Sequence, residues 1–213
     1  MELKLTDKQL NRLANGREYR AMKMECREGE DNRMVVEGYA CTFGQAYDLY
    51  DSADYKITEQ IDARAFDGCD MSDVIMQYDH EGRVFARNRN NTLSLMVDSA
   101  GLKITAELGG TDIGRQLYQE IKGGYTDKMS FAFAVAEDKR ETLRDHETGK
   151  VTVVRTITKI KKLYDVSAVS IPANGMTSIS ARRFADGVIG QIKAERLKRA
   201  KTVLNIKLKL MGA

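Results

Sequence analysis

The residues able to do chemistry are few. The chain has two histidines, His80 and His146, and three cysteines, Cys26, Cys41 and Cys69. Imidazole titrates near pH 6.5 and suits general-base work. His146 sits in LRDHETGK, among charges and beside a glycine turn, and reads as a solvated loop residue. His80 ends the apolar stretch VIMQYDH and precedes a turn at Glu81-Gly82, so it is held where a structured element stops. Ser130 opens the run MSFAFAVA, whose opposite face carries two phenylalanines. A serine hydroxyl is a poor nucleophile without an adjacent base. Asp165, in KKLYDVSAVSIPA, is an acid in an otherwise apolar strand. A buried carboxylate needs a partner, and orienting an imidazole would supply one. Each of the three also has a plain structural reading: a satisfied histidine, an ordinary strand serine, and a strand-edge aspartate in water. There is no G-x-S-x-G elbow, so an α/β-hydrolase is unsupported. The odd number and irregular spacing of the cysteines argue against a disulfide framework and a zinc site. They read as reduced thiols of a cytosolic compartment.

The elements that would position these groups are mostly strands. Residues 1–20 read as a short, weakly amphipathic lead-in with helical character. The first expected strand is RMVVEGYACTF, from Arg33 to Phe43. A polar stretch to Asp54 reads as a loop, and KITEQIDARAFDGCD as holding one short helix. TLSLMV and LKITAEL alternate in polarity around Asp98-Ser-Ala-Gly101, which signals a β-hairpin. In TDIGRQLYQEIKG the period changes: Ile113, Leu117 and Ile121 share a helical face. Thr111 or Asp112 can cap its start, and Gly123-Gly124 can end it. Gly114 weakens the first turn only modestly.

Period two returns in MSFAFAVA, with Met129, Phe131, Phe133 and Val135 on one face and Ser130, Ala132, Ala134 and Ala136 on the other. EDKRETLRDHETGK reads as a solvated hairpin tip before VTVVRTI. A last strand runs from about Ile160 to Ile171, and Pro172 ends it. From Ala181, ARRFADGVIGQIKAERLKRAK places Phe184, Val188, Ile192 and Leu197 at helical spacing with a basic polar face. VLNIKLKLMGA reads as a loose tail. The expected division is a lead-in over 1–32, a core over 33–175 and a basic amphipathic helix with tail over 176–213.

Composition bounds the function. The 213 residues are 42% hydrophobic and 31% charged, enough for a real core in one domain with appendages. No apolar run reaches membrane-spanning length, and the polar first twenty residues lack the apolar centre of a secretory signal. The net charge of +3 is too small to argue for nucleic-acid binding, and there is no aromatic platform beside the basic tail.

A resemblance adds to this reading. GYACTFG at 38–44, ITEQIDARAF at 57–66, VIMQYDHEGRVFAR at 74–87 and TLSLMVDSAGLKITAEL at 92–108 follow one another in the order seen in the phage prohead protease family of HK97-like viruses. DIGRQLYQEIKGGYTDKMSFAF at 112–133 and LYDVSAVSIPA at 163–173 continue it. The resemblance covers about residues 33–175. It places the family's histidine on His80, with Glu81 where Asp is usual, its serine on Ser130, with Ala132 replacing a glycine, and its acid on Asp165 as the shorter aspartate. It implies an α+β fold, mainly β with flanking helices around a closed β-barrel-like core similar to herpesvirus assembly proteases. The implied activity is a serine endopeptidase without metal or cofactor. Its implied substrate is scaffold, including the scaffolding portion of the major capsid protein, inside an assembling procapsid in the host cytoplasm, with self-cleavage and self-association. Backbone N–H groups or an arginine would hold the oxyanion; Arg144 and Arg155 are available by position, but both read as solvated side chains. The competing expectation is a non-enzymatic assembly or scaffolding protein of the same fold.

Overall fold

The computed structural model describes residues 7–28, 33–170 and 175–211. In chain order the elements are helix α1 (Asp7–Ala14), strands β1 (Arg17–Glu28), β2 (Met34–Thr42), β3 (Tyr47–Asp51), β4 (Tyr55–Ile61), β5 (Ile75–Tyr78) and β6 (Glu81–Arg87). A 3₁₀ turn, Asn88–Asn90, leads to β7 (Leu93–Val97) and β8 (Gly101–Glu107). Helix α2 (Asp112–Lys122), the long strands β9 (Lys128–Arg144) and β10 (Val151–Val169), and helix α3 (Gly175–Met211) complete the chain.

The strands join in the order β3-β4-β10-β9-β1-β2-β8-β7, with β5 added to β10 and β6 to β5. Two strands change partners along their length. β1 pairs with β9 over Arg17–Lys23 and with β2 over Met24–Glu28. β10 takes β4 in parallel over Val151–Ile157 and β5 in parallel over Asp165–Ala168. The closed barrel implied by the resemblance is not what forms. Among the described residues β3 pairs only with β4 and β7 only with β8, so the path is open at both ends. Closure needs the terminal strands to pair with a matching stagger. Alternation within a strand specifies which face is buried but not which neighbour it meets.

The main core lies on the face expected for Met129, Phe131 and Phe133, which are completely buried with Met76, Ile104 and Val166. Phe131 and Phe133 stack at 4.7 Å between ring centroids. Helix α2 buries Leu117 and Ile121 against this core and is capped by Thr111, whose side chain accepts from Gly114 N at 3.1 Å. Gly114 matters more than helix propensity suggests. A Cβ there would stand 2.2 Å from the Leu108 carbonyl oxygen, so only glycine lets the helix lie this close. The 98–101 hairpin forms as expected, with Asp98 Oδ1 accepting from Ala100 N and Gly101 N.

Other elements differ from the sequence reading. The first strand, β1, begins well before Arg33, inside the stretch read as lead-in. No helix forms in residues 55–68, which make β4 and a series of turns. The charged segment before Arg144 is strand, leaving a tip of only 145–150, and β10 runs unbroken from Val151. Helix α3 continues through the apolar-basic stretch read as a loose tail, up to Met211. Ile171 and Pro172 lie outside the described residues.

A buried charge network ties the central strands together. Glu59 of β4, completely buried, accepts from Arg20 Nε at 2.6 Å and from Arg155 Nη1 at 2.6 Å, and also bonds the Tyr47 hydroxyl. Arg155 reaches Glu18 at 2.7 Å and Asp138 at 2.7 Å, and its guanidinium lies 4.1 Å from the centre of the Phe184 ring of α3. Removing one partner of such a set strands uncompensated charge. Glu59→Ala should therefore lower unfolding stability by about 3–5 kcal/mol in urea titration, whereas Arg64→Ala, which breaks an exposed pair with Asp67, should cost under about 1 kcal/mol. Burial pushes the Glu18 and Asp138 carboxyls up, but the Arg155 and neighbouring arginine charges outweigh it and hold both below their ordinary values. A depressed carboxylate contributes stability above its unfolded pKa, which is lost as pH falls through the folded value. The urea midpoint should fall on acidification below about pH 4, and less steeply in Glu18→Gln.

Candidate active site

His80 is carried by a two-residue hairpin turn. Asp79 and His80, between the paired Tyr78 and Glu81, both have positive φ, 48° and 61°. Two successive left-handed residues suit the twist of a tight hairpin, yet neither is glycine, so the turn holds strain of order 1–3 kcal/mol per residue. Its anchors explain how it persists. Asp79 N donates to Ala168 O at 2.9 Å, and the Asp79 carboxylate accepts from Ser170 N and Oγ. Arg12 Nη1 of α1 donates to the His80 carbonyl at 2.8 Å. The turn thus sits at Asp79-His80, not at Glu81-Gly82.

Asp165 reaches the same place through a β-bulge. Leu163 pairs with Phe133, but Asp165 pairs with Ala132, so Tyr164 is an extra residue on β10. One added residue reverses the alternation. Leu163 faces the main core, while Asp165 and Ser167 share the other face with Ala132 and Ser130. In this setting His80 Nδ1 and Asp165 Oδ1 lie 2.6 Å apart, with both side chains buried. With the carboxylate ionised, Nδ1 carries the proton and Nε2 is left as an acceptor. Ser167 Oγ donates to the same Asp165 oxygen at 2.8 Å.

Ser130 lies on β9 directly opposite Ser167 of β10 and opposite Ala21 of β1. It is completely buried, and among the described residues neither its Oγ nor His80 Nε2 has a hydrogen-bond partner. The fold therefore brings His80 and Asp165 into contact and sets Ser130 on the same face, one strand away from Asp165. The arginines considered for the oxyanion are not placed for it. Arg155 is occupied by Glu18, Glu59 and Asp138, and Arg144 is exposed at the far end of β9, opposite Val151.

Three neighbours escaped the sequence reading. Tyr19 of β1 is completely buried, pairs with Ala132, and sets its ring edge-on to His80 at 4.7 Å and 75°. Leu13 of α1 packs on Tyr19 and Ala132. Ser167 was legible, since i and i+2 in a strand share a face with Asp165. Tyr19 was not, because its strand hides in a charged, helix-like sequence. Burial pushes the Cys41 thiol up to about 12 and that of Cys69 to about 11, so neither supplies a thiolate at neutral pH. No group of three or more His, Cys, Asp or Glu side chains among the described residues could hold a metal ion.

Tyr19 covers the edge of the His80 ring, and Leu13 of α1 packs on Tyr19 in turn. Replacing Leu13 with Asp should loosen that cover and speed diethylpyrocarbonate modification of His80, while leaving the exposed His146 unchanged; mass spectrometry resolves the two.

Comparison with known proteins now places the chain. Among solved structures, the bacteriophage T4 capsid assembly protease, gp21, aligns with 12% identity and a TM-score of 0.38, covering 73% of this chain and 99% of that one. No curated protein sequence matches. A family model, Caudovirus prohead serine protease, matches residues 20–189, well over half of the chain. The chain belongs to the Caudovirus prohead serine protease family.

Proposed function

We propose that this prohead protease uses Ser130 as nucleophile, His80 as general base and Asp165 as the group that orients and stabilises the imidazole. The observation that carries this reading is the buried His80–Asp165 hydrogen bond of 2.6 Å, which leaves Nε2 free on the face that holds the unpartnered Ser130 hydroxyl. In the reaction His80 Nε2 takes the Ser130 proton as Oγ attacks a peptide carbonyl, and Asp165 stabilises the imidazolium. The proton then passes to the departing amine, and water, deprotonated by the same imidazole, releases the acyl group from Ser130. Because Ser130 is completely buried, the Tyr19–Leu13 cover must move before a peptide can enter.

The substrate is scaffold polypeptide, including the scaffolding portion of the major capsid protein, met at high local concentration inside the procapsid, where proximity substitutes for strong affinity. The chain self-associates there and cleaves itself, and the basic segment from about Ala181 onward is a targeting or removable tail. A non-enzymatic shell protein of the same fold is set aside by family membership. Coexpression with the capsid protein tests the assignment. Ser130→Ala and His80→Ala should each reduce scaffold cleavage by about 10⁴-fold or more while particles still assemble. Native-rate cleavage by Ser130→Ala would show that another residue attacks.

A further inference from the structure

Ser167 occupies an unusual position. It lies on β10, the middle of three strands, opposite Ser130 on β9 and beside Gln77 on β5. It is completely buried, and its neighbours Val166 and Ala168 are buried and apolar. A hydroxyl in such a place is unfavourable unless it is bonded. Its bond goes to Asp165 Oδ1, the oxygen that also accepts from His80 Nδ1.

A carboxylate turns about a broad, two-fold torsion, so a single bond to the histidine leaves it free to rock. A second donor on the same oxygen removes that freedom. We propose that Ser167 is a positioning residue for peptide hydrolysis, its hydroxyl locking the Asp165 carboxylate so that Oδ1 stays aimed at His80 Nδ1. This rests on the roles given above to Ser130, His80 and Asp165. The proton stays on Ser167 Oγ throughout, and Ser167 touches neither substrate nor reacting atoms. The expected signature is a loss of rate out of proportion to any loss of stability.

The test compares wild type, Ser167→Ala, Ser167→Thr and Ser130→Ala in assembled particles, reading the rate of fluorophosphonate labelling and the labelled residue. Thermal unfolding and the proton NMR signal of His80 Nδ1–H are read on the full chain; with only two histidines, one of them exposed, that signal is assignable. Ser167→Ala should label at Ser130 about tenfold more slowly, the loss expected for one hydrogen bond to a charged group, and should shift or broaden the Nδ1–H signal. Ser167→Thr, which keeps the hydroxyl, should label near the wild-type rate even though its extra methyl lowers stability. Equal losses in Ala and Thr that track stability would overturn the proposal, as would wild-type labelling and an unchanged signal in Ser167→Ala. If Ser130→Ala is unlabelled while Ser167→Ala behaves as wild type, only the role of Ser167 fails. If Ser130→Ala still labels, the nucleophile assignment itself fails.

Discussion

The contact between His80 Nδ1 and Asp165 Oδ1 is the constraint from which the local structure follows. A carboxylate inside a strand is unfavourable unless charged or polar partners satisfy it. Here the partners come from a hairpin turn and from Ser167 on the same strand. Meeting that requirement needs two departures from regular structure: a bulge at Tyr164 that turns Asp165 out of the main core, and two left-handed residues that bring His80 over it. Both deviations are small, local and held by hydrogen bonds from the surrounding sheet. Strain of this kind persists only where the frame over-determines it.

The frame is supplied from the opposite side of β1. Tyr19 points to the site, while Glu18 and Arg20, its neighbours in the strand, enter the network with Glu59, Arg155 and Asp138. One strand thus links two buried polar sets. The network joins β1, β4, β9 and β10, and Phe184 of α3 stacks on it. Ion pairs of this type do little for net stability compared with an apolar core, but here they bond side chains of four strands to one another. That matters in a sheet whose ends do not close on each other.

Much of this was legible in the sequence, for identifiable reasons. The faces of MSFAFAVA follow from strict alternation, so the burial of Phe131 and Phe133 and the opposite placement of Ser130 were readable. The 98–101 hairpin and the Thr111 cap carry local turn and capping chemistry that needs no distant partner. What failed depends on distant partners. β1 is a charged, mixed sequence that becomes a central strand because β9 and β2 pair with it and Glu59 neutralises Arg20. The bulge at Tyr164 has no local signature, so the face of Asp165 could not be counted from its neighbours. The barrel came from resemblance alone, and strand closure is not written in any single strand. Arg155 was weighed as an oxyanion group because its acidic partners lie 17, 96 and 137 residues away in sequence.

The most direct test is the structure of the protein inside assembled particles after trapping with a peptidyl phosphonate. The expected result is phosphorus bonded to Ser130 Oγ, His80 Nε2 within hydrogen-bond reach of that oxygen, and the Asp165–His80 bond intact beneath a displaced Tyr19–Leu13 cover. An adduct on any other residue, or a His80 ring turned away from Ser130 in the trapped state, would contradict it.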